Sequence, residues 1–526
     1  MLKKITLSAM IAMLSLLVNA QTKVFKQISE DIKVRTKPIV QNGNVIGYFV
    51  FSQLEKTSKD SFSYQITLMD ENLNEIGKKD FKHKKLYLYD IAFENDIFCI
   101  GYLKRDEKGM NDEDKKAAKK NQKNIDHEVI LQFMDLQGNF VKTIVQKVEV
   151  DGQNEISGYF GRKVYQDKES YLKETLQINE LEGKGFVVFY GDNNSNKMFL
   201  FTSKGDTVWS HKVKGEAKQY YLSNTSKEIF LLASIKVDFE KPFGRVFQHD
   251  KENGKELYNY DLVDDKKRPV TILSISENPV TKGLSILGKY EVLNGWAGTG
   301  RVYTDGYIES LVSFNFNGNT KKEVIKNITF WEDGSKKPEI SRSAKFQSID
   351  AHNTFEIAYT DFDGNPVFGG SGIKSSPRWG AIATTVGLSW TIIVPIVNMV
   401  AGFTKMKNVD GYLIKQNAKG NLSVVNTIPL EHQNAIPRNK IYYGYYSFRD
   451  FGVIKDKSKK TVYVQVNNPK QSIIFNTTTN KIVKTIPVKV GRKTTLSVFP
   501  AKEGHIMIVE NNEKEKTTTL SIESLN

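Results

Sequence analysis

Three carboxylates, Asp90, Glu180 and Asp350, stand in or beside apolar runs that read as strands. Two carboxyl groups held together can split a glycosidic bond, one donating a proton while the other serves as base or nucleophile. Other chemistry is thinner. The seven histidines, His83, His127, His211, His249, His352, His432 and His505, show no HxH or HExxH spacing, so neither a metal nor a cofactor is expected. Gly369-Gly370-Ser371-Gly372-Ile373 falls one glycine short of the GxSxG nucleophile pattern. Gly295-Trp296-Ala297-Gly298-Thr299-Gly300 matches neither a dinucleotide nor a phosphate-binding loop, and both segments read as flexible loop. Asp361-Phe362-Asp363-Gly364-Asn365 spaces two carboxylates as calcium loops do, but lacks the later acidic ligands and reads as a β-turn. The single cysteine, Cys99, lies in Asp96-Ile97-Phe98-Cys99-Ile100-Gly101-Tyr102 with no cation beside it to stabilise a thiolate, and reads as a buried small hydrophobe. One cysteine also excludes a disulfide framework.

Groups suited to recognition are more plentiful. Tyr159, Arg162, Trp296, Arg301, Tyr303, Trp331, Arg378 and Trp379 fall in long stretches between strand signals. Rings interspersed with guanidinium groups suit a carbohydrate or a peptide, although loop aromatics also pack down simply to order a loop. The stretch 104–126 is nearly all charge of both signs without interleaved aromatics. It reads as a solvated loop or short exposed helix, and no nucleic-acid partner is expected.

The scaffold that must position these groups is β. Short runs of Val, Ile, Phe, Tyr and Thr recur from Lys37 onward, bounded by Gly, Asn and Asp. One hairpin keeps returning, at 64–81, 128–145, 197–213, 245–262, 309–325, 411–428 and 471–488, with Gly or Asn in the turn to supply a positive φ. Two further strands precede most copies, as at 86–93 with 96–103. Four antiparallel strands per repeat make one propeller blade. After the seventh hairpin the chain still holds strands at 494–501, 505–512 and 517–525, an eighth blade lacking its outer strand. The segment 24–34 is placed to supply it. The fold expected is all-β, an eight-bladed propeller closed by an N-terminal strand, with seven blades as the alternative and 21–526 as one domain. The long stretches then share one face, in connections 104–126, 291–308, 361–409, 151–174 and 331–341.

Residues 381–403 are uncharged, with Arg378 before them and Lys405 and Lys407 after. Their length suits a transmembrane helix, but the flanking segments read as strands of one blade, which a single crossing would separate. A hairpin bent at Gly387 or Pro395 would have arms too short to span. The insertion, about 376–406, therefore reads as a cap over the propeller or oligomer contact, or as a monotopic anchor assisted by flanking lysines. Trp390, Ile392, Ile393, Ile396 and Val397 are its candidate contact residues.

Lys3 and Lys4 ahead of the apolar run 5–18, followed by Val18-Asn19-Ala20, make a secretory signal with cleavage expected before Gln21. The whole chain carries a net charge of +15, and removing the signal leaves +13. An excess of that sign favours anionic surfaces such as phosphorylated glycolipids or acidic polysaccharides, unless Lys is simply the preferred surface residue. A Lys- and Asn-rich chain starting Gln21-Thr22 after such a signal resembles exported envelope proteins of low-GC Bacteroidota. That resemblance covers the export signal and general architecture and carries no site residues. The hairpin 201–213, with Trp209 in its second strand, resembles the outer hairpin of quinoprotein-type propeller repeats, and one copy implies no quinone.

The function expected from these residues is a non-catalytic exported propeller, periplasmic or outer-membrane associated, binding an envelope protein or an anionic glycan through its long-loop face. The alternatives are a polysaccharide hydrolase or lyase, and a peripheral membrane scaffold seated by the insertion.

Overall fold

A computed structural model of the protein describes residues 21–26, 33–41, 44–58, 61–84, 86–105, 127–148, 155–157, 163–165, 176–190, 196–213, 217–235, 243–265, 267–292, 307–330, 340–341, 345–346, 351–377, 404–434, 449–489, 493–515 and 517–525. They form an eight-bladed β-propeller of four-stranded antiparallel blades. Blade 1 runs from the inner strand Lys33–Gln41 through Asn44–Lys56 and Ser61–Asp70 to the outer strand Glu75–Lys84. Blade 2 begins at Leu86–Glu94, blade 3 at Gln177–Leu181, blade 4 at Ala217–Asn224, blade 5 at Thr271–Glu277, blade 7 at Asp450–Asp456 and blade 8 at Thr494–Pro500. All seven hairpins read from the sequence are the outer two strands of blades 1 to 7.

The eighth blade is completed across the ends of the chain. Gln21–Lys26 pairs antiparallel with Thr517–Ser524, from Gln21↔Ile522 to Lys26↔Thr517. The closing strand is thus shorter than the segment 24–34 and begins earlier. Pairing the two ends removes two free edges and closes the ring without a covalent link.

The core is divided into eight clusters, one in each wedge between neighbouring blades, including the wedge that joins blade 8 to blade 1. This follows from strand alternation: successive side chains point to opposite faces of a blade, so each sheet has two apolar faces and feeds two wedges. Cys99 is fully buried in the wedge of blades 2 and 3, where burial holds its thiol well above the ordinary range.

Each outer turn also clasps the preceding blade. Gly205 has φ +83°, and a Cβ there would lie 2.7 Å from the Phe133 ring of blade 2. Gly254 lies against Trp209 of blade 3, whose indole N–H donates to the Lys251 carbonyl at 3.3 Å. Glycine is needed at both points by conformation and by closeness. The first hairpin departs from the expected turn chemistry, with Leu73 at φ +64° and the Asp70 carboxylate accepting the amides of Asn72 and Asn74 at 2.8 Å.

Blade 6 corrects two expectations. Segment 361–409 is not one loop: 361–365 is the turn after the inner strand, and Pro366–Pro377 is a strand paired with Thr404–Gln416. The expected turn at 361–365 is present, with the Asp361 carboxylate accepting the Asp363 and Asn365 amides. Gly369-Gly370-Ser371-Gly372-Ile373 is not a loop but the buried centre of that strand. Its glycines admit neighbours at close range. A Cβ at Gly369 would meet Leu413 at 2.5 Å, and one at Gly370 would meet the Phe355 amide nitrogen at 2.6 Å. The inner strand of this blade is split into Ala351–Asn353 and Ile357–Thr360, with Phe355 between them at φ +44°.

Candidate functional site

The two faces of the ring differ in construction. On one, the connections between the first and second strands and between the third and fourth strands are two to seven residues long. On the other lie six connections of 14 to 28 residues: 106–126, 149–176, 293–306, 331–350, 378–403 and 429–449. The last was not foreseen, although the polar run 429–440 with Pro429 and Pro437 marks a break from the strands around it. The eight candidate aromatics and arginines all belong to these connections, and they lie outside the described residues. So do Asp350 and the five apolar candidates of the insertion.

The described structure does bring together charged groups around the axis. Asp90, on the inner strand of blade 2, ties three blades. One carboxylate oxygen accepts the Lys37 ammonium of blade 1 at 2.9 Å and the Ile91 amide at 3.0 Å, while the other accepts the Ile178 amide of blade 3 at 2.9 Å. Lys37 also donates to the Tyr89 carbonyl at 2.8 Å. A carboxylate that accepts one ammonium and two amides is held in place by all three.

Glu180, on the next inner strand, has the opposite character. Burial, and then the negative fields of Glu94 and Asp90, push its carboxyl up to about 7 against a partial opposing effect of its own amide. Glu94 is itself buried and accepts the Gly183 amide at 2.7 Å. Neighbouring inner strands thus hold one carboxylate tied to three blades and one that titrates near neutrality, and a carboxyl of the second kind suits acid–base chemistry. Asp90 and Glu180 were legible as candidates. Lys37 and Glu94 were not singled out, and the inner strand of Lys37, which also carries Lys33 and Arg35, gives no local reason to choose it.

A second group lies toward the long-loop side of blades 5 to 7. Lys289 donates to the Thr354 carbonyl at 3.0 Å. Burial raises the Glu356 carboxyl, offset by a Thr354 hydrogen bond and by the positive fields of Lys289 and Arg449. Arg449 is buried just ahead of the blade 7 inner strand and donates to the Glu431 carbonyl at 2.6 Å, to the Val409 carbonyl and to the Ser371 hydroxyl at 3.4 Å. Desolvation lowers its proton affinity, yet guanidinium stays cationic in proteins. These bonds join blade 7 to the second and third strands of blade 6. Among the described residues, no three of His, Cys, Asp and Glu are grouped as metal ligands.

No family model and no curated protein matches the sequence. Among solved structures the chain is similar to the Dos1 propeller, at 8% identity and a TM-score of 0.41, covering 96% of this chain and 94% of that one. It is similar to the WD40 domain of SCAP from fission yeast, at 8% identity and a TM-score of 0.40, covering 95% and 98%. A protein of unknown function from Bacteroides caccae is similar at 11% identity and a TM-score of 0.28, covering 62% and 83%. These likenesses concern the β-propeller fold and reach no further.

Proposed function

We propose that the protein is an exported, non-catalytic β-propeller that binds an envelope partner, a protein or an anionic glycan, through its long-loop face. The observation that carries this reading is the asymmetry of the ring, with tight turns on one side and six long connections on the other. Loops on a rigid scaffold are where binding groups are placed, and the eight candidate aromatics and arginines fall in these six. The ties made by Asp90 support a structural role for the axial carboxylate. The test uses the mature chain, 21–526, immobilised against envelope extract and a panel of acidic glycans. Replacing 293–306 or 149–175 with a short Gly-Ser link is expected to abolish capture while the melting temperature stays within a few degrees, since Leu176 stays in the core. Capture that survives both replacements overturns the reading.

The second reading, a polysaccharide hydrolase, is favoured by one observation, the Glu180 carboxyl near 7 beside a fixed carboxylate. Turnover of a polysaccharide by the purified protein, lost in Glu180→Gln without loss of stability, would replace the first reading with this one.

A further inference from the structure

We infer that the cleft between blades 7 and 8 is a binding site for a single neutral sugar ring, stacked on Phe499 and held by the side-chain amides of Asn467 and Asn468. The site uses none of the six long connections, so it goes beyond the long-loop-face reading.

The cleft has a volume of about 330 Å³, at the small end of ligand pockets. One wall is the turn between the second and third strands of blade 7, with Asn467, Asn468 and Ser472. The other is the inner strand of blade 8, with Leu496, Val498 and Phe499. The connections beside the cleft are short, 468–470 and 488–493. Its space comes from the way that inner strand packs. No residue of Thr494–Pro500 is buried, and Leu496 and Val498 only partly cover the apolar cluster of the wedge. Phe499, 46% exposed, is the one exposed phenylalanine among the described side chains.

The polar wall is set before any ligand arrives. Gln465, buried behind it, donates through its amide to the Asn467 oxygen at 2.8 Å, the Ser472 hydroxyl at 3.2 Å and the Val498 carbonyl at 3.1 Å. The Ser472 hydroxyl donates to the same Asn467 oxygen at 2.6 Å. Two donors occupy that oxygen and fix which way the amide is turned. Asn468 is fixed likewise, its oxygen accepting the Lys470 and Gln471 amides at 2.8 and 2.9 Å. Among the described residues neither amide nitrogen has an acceptor. The wall therefore presents hydrogen-bond donors, and a ligand oxygen is what they lack.

No residue lining the cleft is charged. An acidic ligand would lose its hydration there with no cation to replace it, which selects a neutral one. The lysine of the turn, Lys470, stands 3.4 Å from Glu431. An extended peptide would need the free edge of the blade 8 inner strand, and that edge is taken. The Leu496 amide donates to the Val488 carbonyl at 2.7 Å, Lys489 bridges Thr495, and the Val498 carbonyl accepts Gln465. A pyranose meets the demands that remain. One face of its ring is a patch of C–H groups that packs on an aromatic side chain, and its hydroxyl oxygens accept amide N–H groups.

The test is saturation-transfer difference NMR on the mature chain, 21–526. Glucose, galactose, mannose and N-acetylglucosamine are the neutral probes, glucuronic acid is the charged one, and a capped Val-Ala-Val peptide is run beside them. At least one neutral sugar is expected to receive saturation, strongest at its ring C–H protons, and glucuronic acid is expected to receive less. For the sugar that binds, Phe499→Ala is expected to weaken affinity about tenfold and Asn467→Asp, which keeps the tied oxygen and removes the donor, about fivefold. Phe499 is exposed and Asn467→Asp is isosteric, so neither change removes core packing. Tyr221→Ala, which removes the exposed ring of the blade 4 inner strand, is expected to leave affinity unchanged. Saturation of no neutral sugar, equal binding of glucuronic acid, or affinity that survives both cleft variants would overturn the inference. Stronger saturation of the peptide than of every sugar would assign the cleft to peptide and overturn it too. The loop replacements leave both walls of the cleft in place, so failure here and failure of the long-loop-face reading are separate results.

Discussion

The wedge between blades 2 and 3 and the wedge between blades 5 and 6 fill the same geometry with different chemistry. The first is dry: Phe133, Phe186 and Phe201 meet at ring-centroid distances of 5.8 to 5.9 Å among buried aliphatic groups and Cys99. The second has a smaller apolar cluster and a run of fully buried polar side chains. Ser313 donates to Gln416 at 3.1 Å, Gln416 donates to Thr329 at 2.8 Å, and Thr329 donates to the Gly420 carbonyl. Nearby, Thr360 donates to Ser285 at 3.1 Å. Apolar contact is nondirectional and scales with area, whereas buried hydrogen bonds specify one register and penalise every other. Blade 6 has an inner strand split into Ala351–Asn353 and Ile357–Thr360, so a directional joint to blade 5 fixes an orientation that its own broken strand leaves less constrained.

The largest expected effect would break the contrast if it failed. Phe133→Ala should cost about 3–5 kcal/mol, because it leaves a cavity under the Gly205 turn that a rigid wedge cannot collapse, and urea midpoints would measure it. If it costs no more than a single polar deletion in the other wedge, the two wedges are not energetically distinct.

Next comes the pH dependence at the inner edge of the dry wedge. The Glu180 carboxyl titrates near 7 in the folded protein against an ordinary value of 4.5. The folded state therefore holds a proton that the unfolded state has lost, and stability falls as pH rises from about 4.5 to 7, by on the order of 2–3 kcal/mol. Glu180→Gln should flatten that slope in denaturation curves taken across the window. Glu356→Gln should flatten it less, since Thr354, Lys289 and Arg449 offset the burial of that carboxyl.

Gln416→Ala should cost about 1–2 kcal/mol by leaving the Ser313 hydroxyl without its acceptor. Combining Gln416→Leu with Ser313→Ala and Thr329→Val should recover much of the loss, and the sharper test is whether the recovered protein melts in a broader transition. The smallest effect belongs to the ring closure. Lys23 and Glu75 form an exposed pair at 3.4 Å, so Lys23→Ala should change stability by less than about 1 kcal/mol, whereas the paired strand around it closes the ring.

Repetition made the ring legible. Seven hairpins with the same strand–turn–strand pattern, a three-strand remainder and an unclaimed N-terminal strand already count to eight. The turn at 361–365 and the burial of Cys99 were legible because local chemistry decides them. Gly369–Ile373 misled because glycine runs signal loops unless another chain packs against them, and the close approach of Phe355 and Leu413 comes from segments outside the run. The axial tie was half legible. Asp90 and Glu180 could be named, but Lys37 is 53 residues from Asp90, and their contact exists only once three blades stand around one axis.

Alternation, turn residues and repeat count are properties of short stretches of chain, and they were enough to read an all-β ring, its hairpins and a count favouring eight blades, with the closing strand placed three residues late at its start. Tertiary structure alone decided which wedge is apolar and which is hydrogen-bonded, and which carboxyl titrates near neutrality. Desolvation, field and register arise between segments far apart in sequence, so no local pattern encodes them.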